Sequence, residues 1–215
     1  MAKYFNYFPK TFYTSNNTSS SVDTVTNIMT RVSFESKLKD NSASYYEYEI
    51  KDSDTPEIIA GKFYDNVHRH WIVLMFNDII DPQWDWPLKY QDFIDYVDKK
   101  YTANGAAESP TQTGLAWAQD ATNIHSYYKV VTQTNSKNEE TIKKYQISSD
   151  IYANTAATST SYTLQDGTTI TEAISKETKT YYQFEDSENE AKRKIKLLNP
   201  SFIEQIEKEF KAVLK

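Results

Sequence analysis

Cysteine is absent from this 215-residue chain. That excludes disulfides, thiolate metal sites and cysteine nucleophiles. Glycine is almost absent: the 4 glycines build no phosphate-cradling loop, no Gly-x-Ser-x-Gly elbow and no dinucleotide fingerprint. Positive charge is also short. With 24 Lys and Arg against 30 Asp and Glu the net charge is −6, and no basic block tracks phosphates, which disfavours nucleic acid. The densest basic run, Lys192-Arg193-Lys194-Ile195-Lys196, follows the acidic Glu185-Asp186-Ser187-Glu188-Asn189-Glu190, so the two partly neutralise each other and read as solvated surface. The longest apolar run, Trp71 to Phe76, is far too short to span a bilayer. Met1 to Pro9 lacks the apolar core of a signal peptide. These absences predict a soluble, non-secreted protein with no membrane contact.

Aromatics are plentiful instead. The 17 Tyr, 10 Phe and 4 Trp fit either a Tyr-rich core of a β-containing domain or an interface, since Tyr and Trp pair a large apolar body with a polar tip. Tyr4, Phe5, Tyr7, Phe8, Phe12 and Tyr13 crowd the N-terminus. Left in water they would be costly, so they dock on a partner or back on their own domain. The polar Ser15 to Ser21 follows as a linker.

Hydrophobic spacing sets the expected elements. Val25, Ile28, Met29 and Val32 recur at helical spacing and predict a helix over Thr24 to Phe34, with Lys37 to Ser42 as a polar connector. Tyr46 to Ile50 alternates as a strand. Asp54-Thr55-Pro56 is a helix start, with Thr55 or Asp54 as the cap and Pro56 in the first turn, and with Ile58, Ile59 and Phe63 as the buried face. Asp65-Asn66 ends that helix and caps the next, Val67 to Asn77, which is apolar almost all round and so is buried by its own domain or by a partner. A further amphipathic helix carries Tyr90, Phe93, Ile94, Val97 and Tyr101. From 102 to 180 the chain is rich in Thr and Ser, with a turn at Asn104-Gly105. Strands are predicted at Tyr127 to Thr132, Lys143 to Ile147, Ser161 to Leu164 and Thr168 to Ile170, the last two joined through Asp166-Gly167. Tyr181 to Phe184 is a further predicted strand. Ile195 and Leu197 mark a short strand. Asn199-Pro200 then opens a helix with an apolar stripe of Phe202, Ile203, Ile206, Phe210, Val213 and Leu214, and with Glu204–Lys208 and Glu207–Lys211 as pairs on its wet side.

Catalytic chemistry is thin. His68 and His70 are two apart on a predicted helix and point in different directions, and the third histidine is His125, so no metal is expected. Asp78, Asp81 and Asp85 beside Trp84 and Trp86 have the residue types of a glycoside hydrolase, but Asn77-Asp78 and Asp81-Pro82 read more simply as a helix end and a turn.

The segment Tyr46 to Leu88 resembles a LysM module. Tyr48-Glu49-Ile50-Lys51 matches its first strand, Asp54-Thr55-Pro56-Glu57-Ile58-Ile59-Ala60 its first helix start, and Trp71, Leu74 and Asn77 its second helix. Trp84-Asp85-Trp86-Pro87-Leu88 departs from the usual last strand. About half the chain resembles the family of small LysM-containing baseplate wedge proteins of contractile-tailed, T-even-like bacteriophages. The residues that carry this are Tyr4-Phe5-Asn6-Tyr7-Phe8-Pro9, Thr26-Asn27-Ile28, Trp71 to Asp78 with Asp81-Pro82 and Trp86-Pro87, and Glu190 to Leu198.

The resemblance implies an α+β chain in four parts. These are an N-terminal arm and helix (1–40), a LysM-like strand–helix–helix–strand domain with a following helix (41–101), a polar β-containing lobe (102–180), and a C-terminal strand and amphipathic helix (181–215). It implies a structural role in the virion tail baseplate, assembled in the host bacterial cytoplasm, clamping neighbouring wedges. Implied partners are the other wedge proteins, including the sheath-initiating lysozyme-like one, and copies in adjacent wedges around the tail axis, with no cofactor. Expected interface residues are Tyr4, Phe5, Tyr7, Phe8, Phe12, Trp71, Val73, Phe76, Trp84, Trp86, Phe202, Ile206 and Phe210. The alternatives are a peptidoglycan-binding module acting in infection or lysis, and a wall hydrolase using Asp78, Asp81 or Asp85.

Overall fold

The computed structural model describes residues 4–14 and 22–214; the expected linker from Ser15 to Ser21 lies outside the described residues. Tyr4–Tyr7 forms a 3₁₀ turn. Strand β1 (Lys10–Tyr13) then pairs antiparallel with β2 (Asp23–Thr26), with Phe12 opposite Thr24. The helix expected over Thr24 to Phe34 therefore does not form. Thr24, Val25 and Thr26 are β-branched and stiff at χ1, which suits a pleated ribbon, and β1 supplies their backbone partners. Of the expected helical stripe, Ile28 and Met29 stand in water, and only Val32 packs on the core. The first helix, α1, comes later at Ser36–Asp40, overlapping the segment read as a connector.

Strand β3 (Tyr45–Glu49) leads into α2 (Pro56–Tyr64). The cap works as its residue types predict: Thr55 Oγ1 accepts the Ile58 amide at 3.3 Å, and Pro56 occupies the first turn. The buried face is Ile59, Ala60 and Tyr64; Ile58 and Phe63 are exposed, so the stripe is rotated from the one expected. Asp65, at φ 54°, turns the chain out of α2. Asn66 caps a short 3₁₀ turn that feeds α3 (His70–Phe76), in which Trp71, Ile72, Val73 and Phe76 are buried.

The partner strand of β3 is not at Trp84 to Leu88. It is β8 (Lys194–Leu198), which sets Tyr48 opposite Ile195 and Tyr46 opposite Leu197. Ile195, Leu197 and Leu198 are fully or nearly fully buried; Ile195 and Leu197, two apart, share the apolar face of the two-stranded sheet. Asn77 ties α3 to this strand. Its side-chain amide donates to the Val73 and Lys196 carbonyls and accepts the Lys196 amide, each at 2.8 Å, in the manner of a neighbouring strand. A 3₁₀ turn at Pro200–Phe202, capped by Asn199, opens α8 (Ile203–Val213). Ile203, Ile206, Phe210 and Leu214 of the expected stripe are buried and Val213 is exposed. Glu207 pairs with Arg69 at 2.7 Å, and Lys211 lies over the Tyr7 ring.

These elements form one unit, residues 1–89 with 190–215; residues 90–189 form a second. The second therefore interrupts the strand–helix–helix–strand order between α3 and β8. The expected boundaries at 101/102 and 180/181 fall inside a helix and at a strand–helix junction. Helix α4 (Tyr90–Glu108) runs through the predicted Asn104-Gly105 turn. Gly105 is there for clearance: a Cβ would lie 2.8 Å from the Thr113 carbonyl oxygen. Gly114 opens α5 (Gly114–Gln119), where a Cβ would sit 2.1 Å from the Asp98 carbonyl oxygen, so two helices meet backbone to backbone. Four strands follow: β4 (Ile124–Asn135), β5 (Glu140–Ile147), β6 (Thr158–Thr163) and β7 (Thr169–Thr180), in the antiparallel order β5-β4-β7-β6. Helix α6 (Ser149–Asn154) links β5 to β6. The Asp166-Gly167 hairpin is as predicted, with Gly167 at φ 83°. Tyr181 to Phe184 is not a strand but the first turn of α7 (Tyr181–Ala191). It is recruited there because Glu185 is drawn to Lys100 Nζ at 2.6 Å and the Tyr101 hydroxyl at 2.7 Å, while Tyr181 packs against Tyr101 and Trp117.

Candidate assembly surface

The expected interface residues divide sharply between core and surface. Tyr4, Tyr7 and Phe8 fold back on their own unit: Tyr4 lies 5.5 Å from the Trp71 ring and 5.6 Å from Phe210, and Trp71 and Phe210 are 4.5 Å apart. Burial pushes the Tyr4 hydroxyl pKa up. Val73 and Phe76 are enclosed as well, at 0% and 2% exposure. Trp71, Ile206 and Phe210, expected with these two to face a partner, are likewise buried in their own unit, where α2, β8, α8 and the N-terminal aromatics pack around α3. Phe202 and Trp86 are half-buried against the same core.

Phe5, Phe12 and Trp84 remain outside. Phe12, at 79% exposure, and Tyr13 stand on β1 and Val25 on β2, while Val22 precedes β2 and Ile28 and Met29 lie in the turn that follows it; all are exposed. Apolar side chains this dense on one small element are unusual for a surface facing only water. The sequence reading placed Val25, Ile28 and Met29 on a helix face and so missed them. The alternating β-branched run Thr24-Val25-Thr26 was the available signal.

A second apolar feature is a groove of about 390 Å³ between residues 32–38 and α8. Val32, Phe34, Leu38, Met75, Phe202 and Val213 line it, with Glu35 and Glu209 among its polar residues.

The acidic cluster is structural. The Asp85 carboxylate accepts the Ile80 and Asp81 amides at 3.1 and 3.0 Å, Asp81 accepts the Gln83 amide, and Asp78 is paired with Lys39. Asp81 and Asp85 thus hold this turn and Asp78 is tied to Lys39, and none of the three lines the nearby cleft of about 310 Å³. That cleft lies between the start of α2 and Trp86 and is bordered by Asp54, Glu57, Leu74 and Pro82. Asp54 is its best-defined polar group. Burial alone would raise its carboxyl; bonds from Lys62 at 2.7 Å, from the Tyr48 hydroxyl and from the Lys51 amide outweigh that and hold it below the usual carboxylate range. The Trp86 indole donates to the Asp54 carbonyl at 3.2 Å, which fixes one wall of the cleft.

The basic run is tied down rather than free. Arg193 pairs with Asp52 and Glu190 and donates to the Ile50 carbonyl; Lys192 donates to the Trp84 carbonyl at 2.6 Å. His70 Nδ1 lies 3.1 Å from the Val67 carbonyl oxygen, and His125 stacks on Phe184. Among the described residues, no three His, Asp or Glu gather as a metal site, and no helix is long and apolar enough to cross a membrane.

No curated protein matches the chain. A family model described as base plate wedge protein 53 of phages matches residues 3–211, nearly its whole length, and the chain belongs to that family of phage baseplate wedge proteins.

Proposed function

We propose that this structural component of the phage tail baseplate clamps neighbouring wedges together during baseplate assembly, and that the β1–β2 ribbon is the part that grips. The observation that carries this is the exposure of Phe12 on β1 and of Ile28 and Met29 in the turn just after β2, at 79%, 67% and 84%. A ribbon that buries so little of its own apolar surface gains stability by docking. The partners are other wedge proteins, the sheath-initiating lysozyme-like one included, and copies of the chain in adjacent wedges around the tail axis. Assembly takes place in the host bacterial cytoplasm. The role is mechanical and requires no catalysis or cofactor. Of the residues expected at the interface, Phe5, Phe12 and Trp84 remain candidates.

The test is the double substitution Phe12→Asp with Met29→Asp. Both side chains are exposed, so the free protein keeps its melting temperature, within about 0.5 kcal/mol of stability. Wedges carrying it remain unjoined in electron micrographs of assembling tails. Normal baseplates from this variant would overturn the assignment.

A second reading is a LysM-like peptidoglycan-binding module. The strand–helix–helix–strand order closed by β8, together with the cleft at the start of α2, favours it. Co-sedimentation of the purified chain with intact peptidoglycan, lost on Trp86→Ala in a folded variant, would support this reading over the first.

A further inference from the structure

The two edges of the second unit's sheet differ in chemistry. Strand β5 carries Glu140, Lys143 and Lys144, and Lys144 pairs with Glu177 at 2.6 Å. Charge of this kind is how exposed edges are kept from pairing. Strand β6 is Thr-Ser-Thr-Ser-Tyr-Thr, with every residue exposed. It has no charge, no proline and no bulge, and the whole stretch from Ile151 to Gln165 is uncharged.

The register shows what that edge offers. The Leu164 amide donates to the Thr168 carbonyl at 2.8 Å. Antiparallel alternation then directs the backbone groups of Tyr162, Thr160 and Thr158 towards β7, and those of Ser159, Ser161 and Thr163 outwards. The hydroxyl contacts Ser161–Thr171 at 2.9 Å and Thr163–Thr169 at 3.3 Å fit this, since side chains lie closer in the pairs that do not exchange backbone bonds. Among the described residues, no backbone bond reaches these three outward positions from elsewhere.

We infer that β6 pairs with β6 of a second copy of this chain, antiparallel about a two-fold axis at Ser161. That register sets Ser161 opposite Ser161, Ser159 opposite Thr163 and Thr160 opposite Tyr162. All three outward residues of each strand are then paired. Side-chain faces match, because residues of equal parity meet. The lack of charge is what makes the strand compatible with itself: a two-fold axis would set Lys143 and Lys144 of β5 among their own copies, and it sets only hydroxyls and Tyr162 together at β6. Tyr162 at 44% exposure, with Ile170 opposite it on β7, supplies an apolar strip for the second strand to cover. Two four-stranded sheets become one of eight, with the charged β5 edges outermost.

The native absence of cysteine gives a clean test on the full chain. Ser161→Cys, oxidised, forms a covalent dimer, because residues directly opposite stand about 5.5 Å apart at their Cα atoms. Thr163→Cys does not, because its own copy lies about 13 Å away along the strand. By analytical ultracentrifugation the unmodified chain shows a concentration-dependent dimer. Ser161→Ala retains it. Ser161→Pro, which removes an outward amide without breaking a β6–β7 bond, abolishes it, and so does Ser161→Lys, which covers the case in which proline unfolds the lobe. A native chain that stays monomeric across the concentration range, a dimer that survives both the proline and the lysine, or equal cross-linking at 161 and 163 would overturn the pairing. These outcomes leave the ribbon's role untouched, since Phe12 and Met29 belong to the other unit.

Discussion

Asp54 is buried yet ionised because three donors converge on it, and that makes it sensitive to acid. In the unfolded chain its carboxyl titrates near the ordinary value of 3.8, and in the fold it is held lower. Its contribution to stability is therefore complete above that value and is lost as the pH falls through the lower, folded one. Lys62 is half in water, which screens its share; the Tyr48 hydroxyl and the Lys51 amide are the more effective partners. Asp54→Asn lowers the stability of the first unit at neutral pH by roughly 1.5–3 kcal/mol and flattens the fall in melting temperature below pH 4. An Asn variant whose acid limb follows the native one would show that other carboxylates control it. Tyr48 gives the alkaline counterpart. Burial, then its bond to Asp54, pushes its hydroxyl up to about 12, so its contribution holds below pH 10 and is lost as the pH rises towards 12.

At the scale of elements, the N-terminal aromatics behave as part of the core. Tyr4 and Phe8 pack against Trp71 and Phe210, and Phe8 is 6% exposed. Removing residues 1–13 uncovers the Trp71–Phe210 pair and costs about 3–5 kcal/mol, comparable to deleting one large core side chain. Thermal melting of the truncated chain checks this. Unchanged melting would show that the segment is an arm after all and return Tyr4 and Phe8 to the list of docking residues. The contrast with Phe12, only four residues beyond Phe8, is one of backbone: the 3₁₀ turn brings Tyr4, Tyr7 and the following Phe8 onto the core and leaves Phe5 outside, whereas every residue of β1 is exposed.

At the scale of the molecule, the second unit is an insertion between α3 and β8, and its two chain crossings lie together on the first unit. Arg193 donates to the Leu88 carbonyl at 3.4 Å, and its own amide bonds to the Glu190 carbonyl at 3.1 Å. A short flexible linker from Lys89 to Glu190, replacing residues 90–189, leaves the first unit able to close its β3–β8 sheet. The full chain shows two calorimetric transitions and the excised chain only one, at the temperature of its counterpart. An excised chain without a cooperative transition would show that the first unit depends on the second.

Local chemistry was legible from the sequence alone. The Thr55 and Asn66 caps, the Asp166-Gly167 hairpin, the Asn199-Pro200 helix start and most of the α8 stripe follow from side chains acting within a few residues of themselves, and no distant partner competes. The family was legible for a related reason: the resemblance rested on contiguous runs such as Trp71 to Asp78. Tertiary structure decided what depends on who sits opposite. Thr24 to Thr26 took a strand over a helix because β1 was there to pair with. Tyr181 to Phe184 took a helix over a strand because Tyr101 and Trp117 were there to receive Tyr181, and Lys100 and Tyr101 to bind Glu185. Val73 and Phe76 went into the core because β8, more than a hundred residues on, returned to cover them. Apolar periodicity says that a face will be buried; only the assembled chain says by what, since the free energy of burial depends on area removed from water and not on which segment removes it.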